Sequence, residues 1–240
     1  DGLGYPSDHI SFITSESQGM DAWALTDHGN GNGLAHARAA AKKLEKKGMK
    51  YRQLYGVEFY FVPSLKQWSL DYEAHKQSIR DARNSAEAEK RSKIATDVDA
   101  DDEEQGGHVV EDENETKAND YKEKPGWQRR YHLVGVAQNQ EGFRNINRLV
   151  KLSFKEGFYR YPRIDFDLLR KYGQGIIWST ACLGGIYSGT ILRGEAYGKT
   201  SEEIIAELKN LTDQFTDAVG LENFFLELQF NKLPKQHTVN

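Results

Sequence analysis

Thr26-Asp27-His28-Gly29 follows the apolar run Ala22-Trp23-Ala24-Leu25, so a carboxylate and an imidazole meet at the end of a buried strand. That is where α/β barrels carry their chemistry. Asp1, Glu58, His132 and Cys182 are able to join His28, and each is a ligand type for zinc, manganese or iron. Carboxylates bridge and neutralise cations, while imidazoles give neutral, directional nitrogen donors. Two cations held about 3.5–4 Å apart generate hydroxide at neutral pH and clamp a phosphate oxygen. Taken singly, each residue has a plainer use. Glu58 lies in a strand of aromatics, where an unpaired carboxylate is costly and a buried Arg would serve as partner. His132 alone reads as an edge histidine bonded to backbone, and a lone cysteine as a buried hydrophobe. Asp1 is the first residue, so its place in any site is conditional. His9, His36, His75, His108 and His237 fall in helical, insert or loop segments and are read as structural.

The elements that must position these groups alternate along the chain. Pro6 to Gly19 reads as a helix, with Pro6 in the first turn and Gly19 as its stop. Ala22 to Leu25 is a short buried strand. Leu34 to Lys47 is an Ala- and Lys-rich helix closed by Gly48. Leu54 to Val62, dense in aromatic and β-branched residues, is a strand ending at Pro63. Tyr131 to Ala137 is the next strand, and Asn139 caps a helix running through Phe154. Asp165 caps a short helix ending near Gly173, Ile176 to Ser179 is a strand, and Thr200-x-x-Glu203 is a capping box for another helix. Phe224 to Phe230 reads as the last strand. Strands alternating with helices predict an α/β fold with a largely parallel sheet. The polar residues at strand ends favour a barrel over an open sheet.

Residues 64–128 break this pattern. They hold 10 Lys or Arg against 17 Asp or Glu, a net of −7, which leaves +3 on the rest of a chain whose total is −4. Between Asp97 and Asp120 there is no aromatic residue, and such a segment buries too little apolar area to offset its ordering entropy. Ser69 to Lys93 is a charged helix on propensity alone. Asp97, Asp99 and Asp101 alternate like a calcium loop, but Asp102 stands where the required Gly belongs and His108 where the final Glu does. A solvated, flexible insertion is therefore expected. With it set aside, the Leu54–Val62 and Tyr131–Ala137 strands follow one another with no room for a crossover helix, which predicts a β-hairpin carrying the insertion at its tip. The expected organisation is a first barrel part (1–63), the acidic insertion (64–128) and a second barrel part (129–240).

A chain of 240 residues with 38% apolar content and no run of membrane-span length is expected to be soluble. No basic, apolar-cored leader is present, and one cysteine suits a reducing cytoplasm. The first residue is not Met and the sequence stops soon after a strand-like segment, so a piece of a longer protein is expected.

These residues resemble a known family. Ala24-Leu25-Thr26-Asp27-His28-Gly29-Asn30, Gly56-Val57-Glu58-Phe59-Tyr60, Tyr131-His132-Leu133-Val134, Gly142-Phe143-Arg144-Asn145, Glu156-Gly157-Phe158-Tyr159 with Pro162-Arg163-Ile164-Asp165, and Ala181-Cys182-Leu183 look like the PHP (polymerase and histidinol phosphatase) domain at the amino end of the DNA polymerase III alpha family. They run in the family's order and cover nearly all of the chain outside 64–128. The Thr-Asp-His-Gly motif is common to the superfamily, and the Glu156–Asp165 segment points to the polymerase branch. The resemblance implies a distorted (β/α)7 barrel, incomplete at both termini here, with a trinuclear-type metal site. By position, Asp1, His28, Glu58, His132 and Cys182 would be metal ligands, with Asp27 as the candidate catalytic residue in a supporting role. It implies divalent zinc, manganese or iron, two or three ions in a complete domain, and DNA at a primer 3′ end as partner, together with other replicase subunits. Phosphodiester hydrolysis such as 3′–5′ trimming is the implied activity, with polymerisation belonging to the parent protein. The alternatives are a non-catalytic module that stabilises the polymerase or docks a proofreading subunit, and a stand-alone phosphoesterase. The family's His-x-His motif is expected upstream of Asp1 and its Asp-x-His motif beyond Asn240. An acidic residue often follows the Cys-Leu-x-Gly turn, and here Ile186 stands after Gly185.

Overall fold

Alternation along β2 (Arg52–Phe61) divides the sheet into two chemically different faces. Val57, Phe59 and Phe61 are buried on one face, and Glu58 and Tyr60 point to the other. The computed structural model describes residues 6–14, 19–94 and 126–240. Asp1 and the Asp97–His108 segment lie outside the described residues.

The sheet order is β1-β2-β3-β5-β6, formed by β1 (Ala22–His28), β2, β3 (Tyr131–Ala137), β5 (Ile176–Ser179) and β6 (Phe224–Phe225). β4 (Arg163–Ile164) pairs with β2 beyond the end of β1 and continues the same edge. β3 is the reversed strand, antiparallel to both β2 and β5, whereas the β1–β2, β2–β4 and β5–β6 pairs are parallel. The two strands flanking the insertion thus pair antiparallel, with Phe61 opposite Tyr131. Among the described residues β1 and β6 do not meet, so the six strands form an open, curved part of a barrel.

Helices cover the apolar face. α4 (Gln140–Glu156), α5 (Phe166–Tyr172) and α7 (Ser201–Val219) bring Ile146, Leu149, Leu169 and Phe215 against Phe59, Phe61, Leu133 and Trp178. A smaller cluster joins Ile10 of α1 (Pro6–Ile13) to Ala37, Ala40 and Leu44 of α2 (Leu34–Lys46), packed on Trp23 and Leu25. The expected caps are present. Asn139 accepts from the Gly142 N–H, Asp165 from the Leu168 N–H, and Thr200 with Glu203 closes a capping box. Because α7 carries Phe215 into the core, Thr200→Ala is expected to lower stability by about 1 kcal/mol. Urea titration checks this, and an unchanged midpoint would place the helix start outside the cooperative unit.

Several elements differ from expectation: α1 ends at Ile13 rather than Gly19, and β4 and the helix Pro234–Val239 were not foreseen. The last strand is Phe224–Phe225 rather than Phe224–Phe230, because its pairing with β5 covers only Trp178↔Phe224 and Ser179↔Phe225. Beyond that pairing Leu226, Leu228 and Phe230 are exposed. α6 (Ile186–Ala196) was not legible as a helix: it holds Gly189, Gly194 and Thr190, and its cap Gly185 offers no side chain. Burial of Ile186, Tyr187, Thr190 and Leu192 overrides its poor propensity. α8 (Pro234–Val239) follows β6.

By contacts the chain separates into two units, Asp1–Leu65 with Arg129–Asn240, and Lys66–Gln128. In the second, most of α3 (Leu65–Ile94) carries Trp68, Tyr72 and His75. Trp68 donates its indole N–H to the Trp127 carbonyl at 2.6 Å, and His75 stacks on Trp127 with ring centroids 4.5 Å apart.

Candidate metal centre

Strand parity decides which groups converge. His28 lies opposite Glu58 in the β1–β2 register, and His132 lies opposite Tyr60, one diagonal step from Glu58. All three therefore share the face turned away from the helices. Glu58 is the hub: its Oε1 is 2.7 Å from His132 Nδ1, and its Oε2 is 3.6 Å from His28 Nε2. The donor atoms of His28, Glu58 and His132 lie within 4.8 Å of one another. Cys182 Sγ adds a soft donor 3.4 Å from His132 Nδ1 and 4.0 Å from Glu58 Oε1.

Cys182 is brought in by the turn after β5. Ala181 adopts φ 58°, a left-handed conformation that costs an alanine about 1–2 kcal/mol. Thr180 on one side is tied to β6, its N–H donating to the Phe225 carbonyl and its hydroxyl accepting from the Glu227 N–H. On the other side the Gly184 N–H donates to Cys182 Sγ at 3.3 Å, and the His132 N–H donates to the Gly184 carbonyl at 2.9 Å. A Cβ at Gly184 would stand 3.0 Å from His132 Nδ1, so any side chain there would push the ring back by a few tenths of an ångström. Gly29, at φ 65°, plays the same part beside His28, where Pro162 and Tyr60 leave no room for a side chain.

Asp27 is separated from the cluster by the same parity. Its Oδ2 accepts the Gly33 N–H at 2.7 Å, on the α2 side of the strand, and so fixes the loop that follows His28. Asp1 lies outside the described residues.

Electrostatics bind the cluster together. For His132, burial is the largest influence and lowers its pKa, yet hydrogen bonds to Cys182 and Glu58 and their charges outweigh it and raise the imidazole from 6.5 to about 9. For Glu58, burial pushes upward, but the hydrogen bond to His132 and the charges of both histidines hold it below its ordinary 4.5. The raised His132 contributes stability that is present in full below about pH 6.5 and lost as pH rises through about 9. The lowered Glu58 contributes stability present above about pH 4.5 and lost as pH falls through its depressed value. In chelator, the urea midpoint is expected to be highest between about pH 4.5 and 6.5 and to decline by pH 9. A midpoint that rises over that range would contradict the pairing.

The donor set suits a divalent cation. Two imidazoles, a carboxylate and a thiol are what zinc, manganese or iron take from proteins. His28 turns its Nε2 toward Glu58, and its Nδ1 is buried with no hydrogen-bond partner among the described residues.

His28 and His132 of the cluster line a cavity of about 500 Å³ together with Asn30, Tyr60, Arg130, Phe154 and Tyr161, among others. Arg130, Phe154 and Tyr161 were missed in the sequence. Tyr60 lies two residues from Glu58 in β2, the spacing that keeps a strand face.

Residues 11–231 match the PHP domain family, and the chain belongs to it. Among its relatives are DNA polymerase III subunit alpha of Chlamydia pneumoniae, 29% identical over 218 residues (91% of this chain and 12% of the relative), and that of Deinococcus radiodurans, 27% identical over 228 residues (95% and 12%). The subunit from Aquifex aeolicus is 37% identical over 110 residues, covering 46% of this chain and 9% of the relative. The chain thus spans about a tenth of the length of these relatives. No helix among the described residues is long and apolar enough to cross a membrane.

Proposed function

We propose that this chain is the PHP portion of a cytoplasmic replicative DNA polymerase, holding a divalent cation for phosphodiester hydrolysis at a DNA 3′ end. The observation that carries the reading is the convergence of His28, Glu58, His132 and Cys182 from four strand-associated segments onto one sheet face. DNA-directed DNA polymerisation belongs, in this proposal, to the longer parent protein, with DNA and other replicase subunits as partners. His28, Glu58, His132 and Cys182 would hold the cation, and Asp1 would add a further carboxylate. A cation bound there supplies a hydroxide at neutral pH and polarises a phosphoryl oxygen. Glu58 keeps the two imidazoles turned toward one point, and Asp27 steadies the loop beside His28. Arg130 at the rim supplies positive charge for a phosphate. The experiment is metal analysis together with a 3′-labelled single-stranded primer. Bound divalent metal and chelator-sensitive loss of the label are expected. Absence of both contradicts the hydrolytic reading.

A second reading is favoured by one observation: His132, Glu58 and Cys182 bond one another directly, a network that braces β2, β3 and the turn after β5. The domain would then be a structural module that stabilises the polymerase or docks a proofreading subunit. If His28→Ala lowers the melting temperature yet leaves trimming unchanged, this reading replaces the first.

A further inference from the structure

We infer that the rim of the metal-centre cavity is a stacking platform for the bases of a single-stranded nucleic-acid end, formed by Tyr161, Arg130, Phe154 and Phe158. The inference rests on the reading of the centre as one that acts on nucleic-acid ends, and assigns the side chains that grip the bases there.

Ring contacts lead from the cluster through Tyr60 to Tyr161, and Phe154 with Phe158 forms a separate stacked pair. The Tyr60 ring is 5.5 Å from the His132 ring and 4.9 Å from Tyr161. The Arg130 guanidinium lies over Tyr161 at 3.7 Å and over Tyr60 at 5.4 Å, a flat cationic surface continuous with the rings. Phe154 lines the same cavity as His28 and His132, and Phe158 stacks on it with planes 16° apart. These two phenyl groups are 48% and 55% exposed. A stacked pair of open rings beside a ligand cluster marks a binding surface.

The turn that carries the platform is rigid. Tyr159 and Tyr161 exchange backbone hydrogen bonds of 3.2 and 2.6 Å around Arg160, which is held at φ 59°. Beneath them Arg163 is buried, its Nη1 3.4 Å from the carbonyls of Gly157 and Tyr161. A non-glycine residue kept in the left-handed region by such bracing is characteristic of a preformed site.

Charge selects the occupant. Residues 144–163 hold six Lys or Arg against one Glu, in a chain of net charge −4. Ring faces beside the Arg130 guanidinium suit unpaired bases on a phosphate backbone. In a duplex those base faces are stacked on each other and unavailable. An apolar peptide would call for aliphatic pockets, and the rim offers rings, Pro162 and Arg130 instead.

The test is fluorescence anisotropy of the 240-residue chain in chelator, with a labelled oligothymidylate and an abasic strand carrying the same number of phosphates. The oligothymidylate is expected to bind about tenfold tighter than the abasic strand. Phe158→Ala and Tyr161→Ala are expected to lose most of that preference and to bind the abasic strand as the unaltered chain does. Phe158 is half exposed, so its variant keeps the fold even if Tyr161→Ala does not. Equal affinity for the two strands, a preference that survives in Phe158→Ala, or no binding to either strand overturns the inference. No metal and no hydrolysis enter this measurement. Failure of trimming therefore leaves the base preference standing, and loss of the base preference leaves the metal-dependent reading standing.

Discussion

Glu58→Gln is expected to lower the affinity for a divalent cation at least about 100-fold and to destabilise the metal-free chain by about 1–3 kcal/mol near pH 6. Both effects come from one carboxylate, which lies 2.7 Å from His132 and 3.6 Å from His28. The amide keeps the shape and removes the charge. A protonated, half-buried His132 then keeps Cys182 alone as its favourable partner, and the imidazole releases its proton at lower pH than in the unaltered chain. The pair is 15% and 24% exposed, which is why the loss stays below that of a deeply buried ion pair. The pH dependence separates this account from a simple packing defect. Above about pH 9 His132 has given up its proton in the unaltered chain too, so the two proteins should converge in stability there. A packing defect would cost the same at every pH. Urea titration at pH 6 and pH 9.5 in chelator measures the difference.

Trp178→Ala is expected to cost about 3–5 kcal/mol, the largest loss of stability from any single truncation considered. Trp178 has no exposed surface, packs against Phe59 at 5.7 Å and donates its indole N–H to the Gly173 carbonyl at 3.2 Å. Truncation opens a cavity and at once deprives the Gly173 carbonyl of its indole donor. Domains of this kind are stable by about 5–15 kcal/mol, so the loss is a large fraction of the whole. It also reaches the metal centre. Trp178 lies in β5, which anchors the Thr180–Gly185 turn, and a looser strand relaxes the left-handed Ala181 that presents Cys182. Trp178→Phe, which retains most of the ring volume, should cost clearly less. Denaturant midpoints for the two variants decide this, and equal small losses would place Trp178 outside the core.

The convergence of His28, Glu58, His132 and Cys182 was legible because each is a metal-ligand type on a strand-associated segment and the resemblance to the PHP family joins them. Asp27 was expected beside these residues as the candidate catalytic group, and strand parity instead puts it on the other face of β1, bonded to Gly33. The antiparallel pairing of β2 with β3 followed from the lack of space for a crossover once the insertion was set aside. Other features depend on tertiary structure and leave no local trace. α6 forms because its surroundings bury Ile186, Tyr187 and Leu192, against the preference of its glycines. β6 stops at Phe225 because its pairing with β5 ends there, although Leu226 to Phe230 has strand-like composition. The pose of Cys182 depends on the positive φ of Ala181, which nothing in an alanine announces. The Arg130–Tyr161 contact joins residues 31 positions apart, across the β3 and β4 segments, and no periodicity could reveal it.

The central claim is that His28, Glu58, His132 and Cys182 hold one cation together. Titration of the chain with cobalt(II), followed by visible absorption, tests it most directly, because a thiolate bound to cobalt gives a charge-transfer band and a low-coordinate site gives intense ligand-field bands. The account predicts saturable growth of both, with the charge-transfer band lost in Cys182→Ser and the ligand-field bands lost or shifted in His28→Ala and Glu58→Gln. A spectrum that stays that of aqueous cobalt, or one that Cys182→Ser and Glu58→Gln leave unchanged, would contradict it.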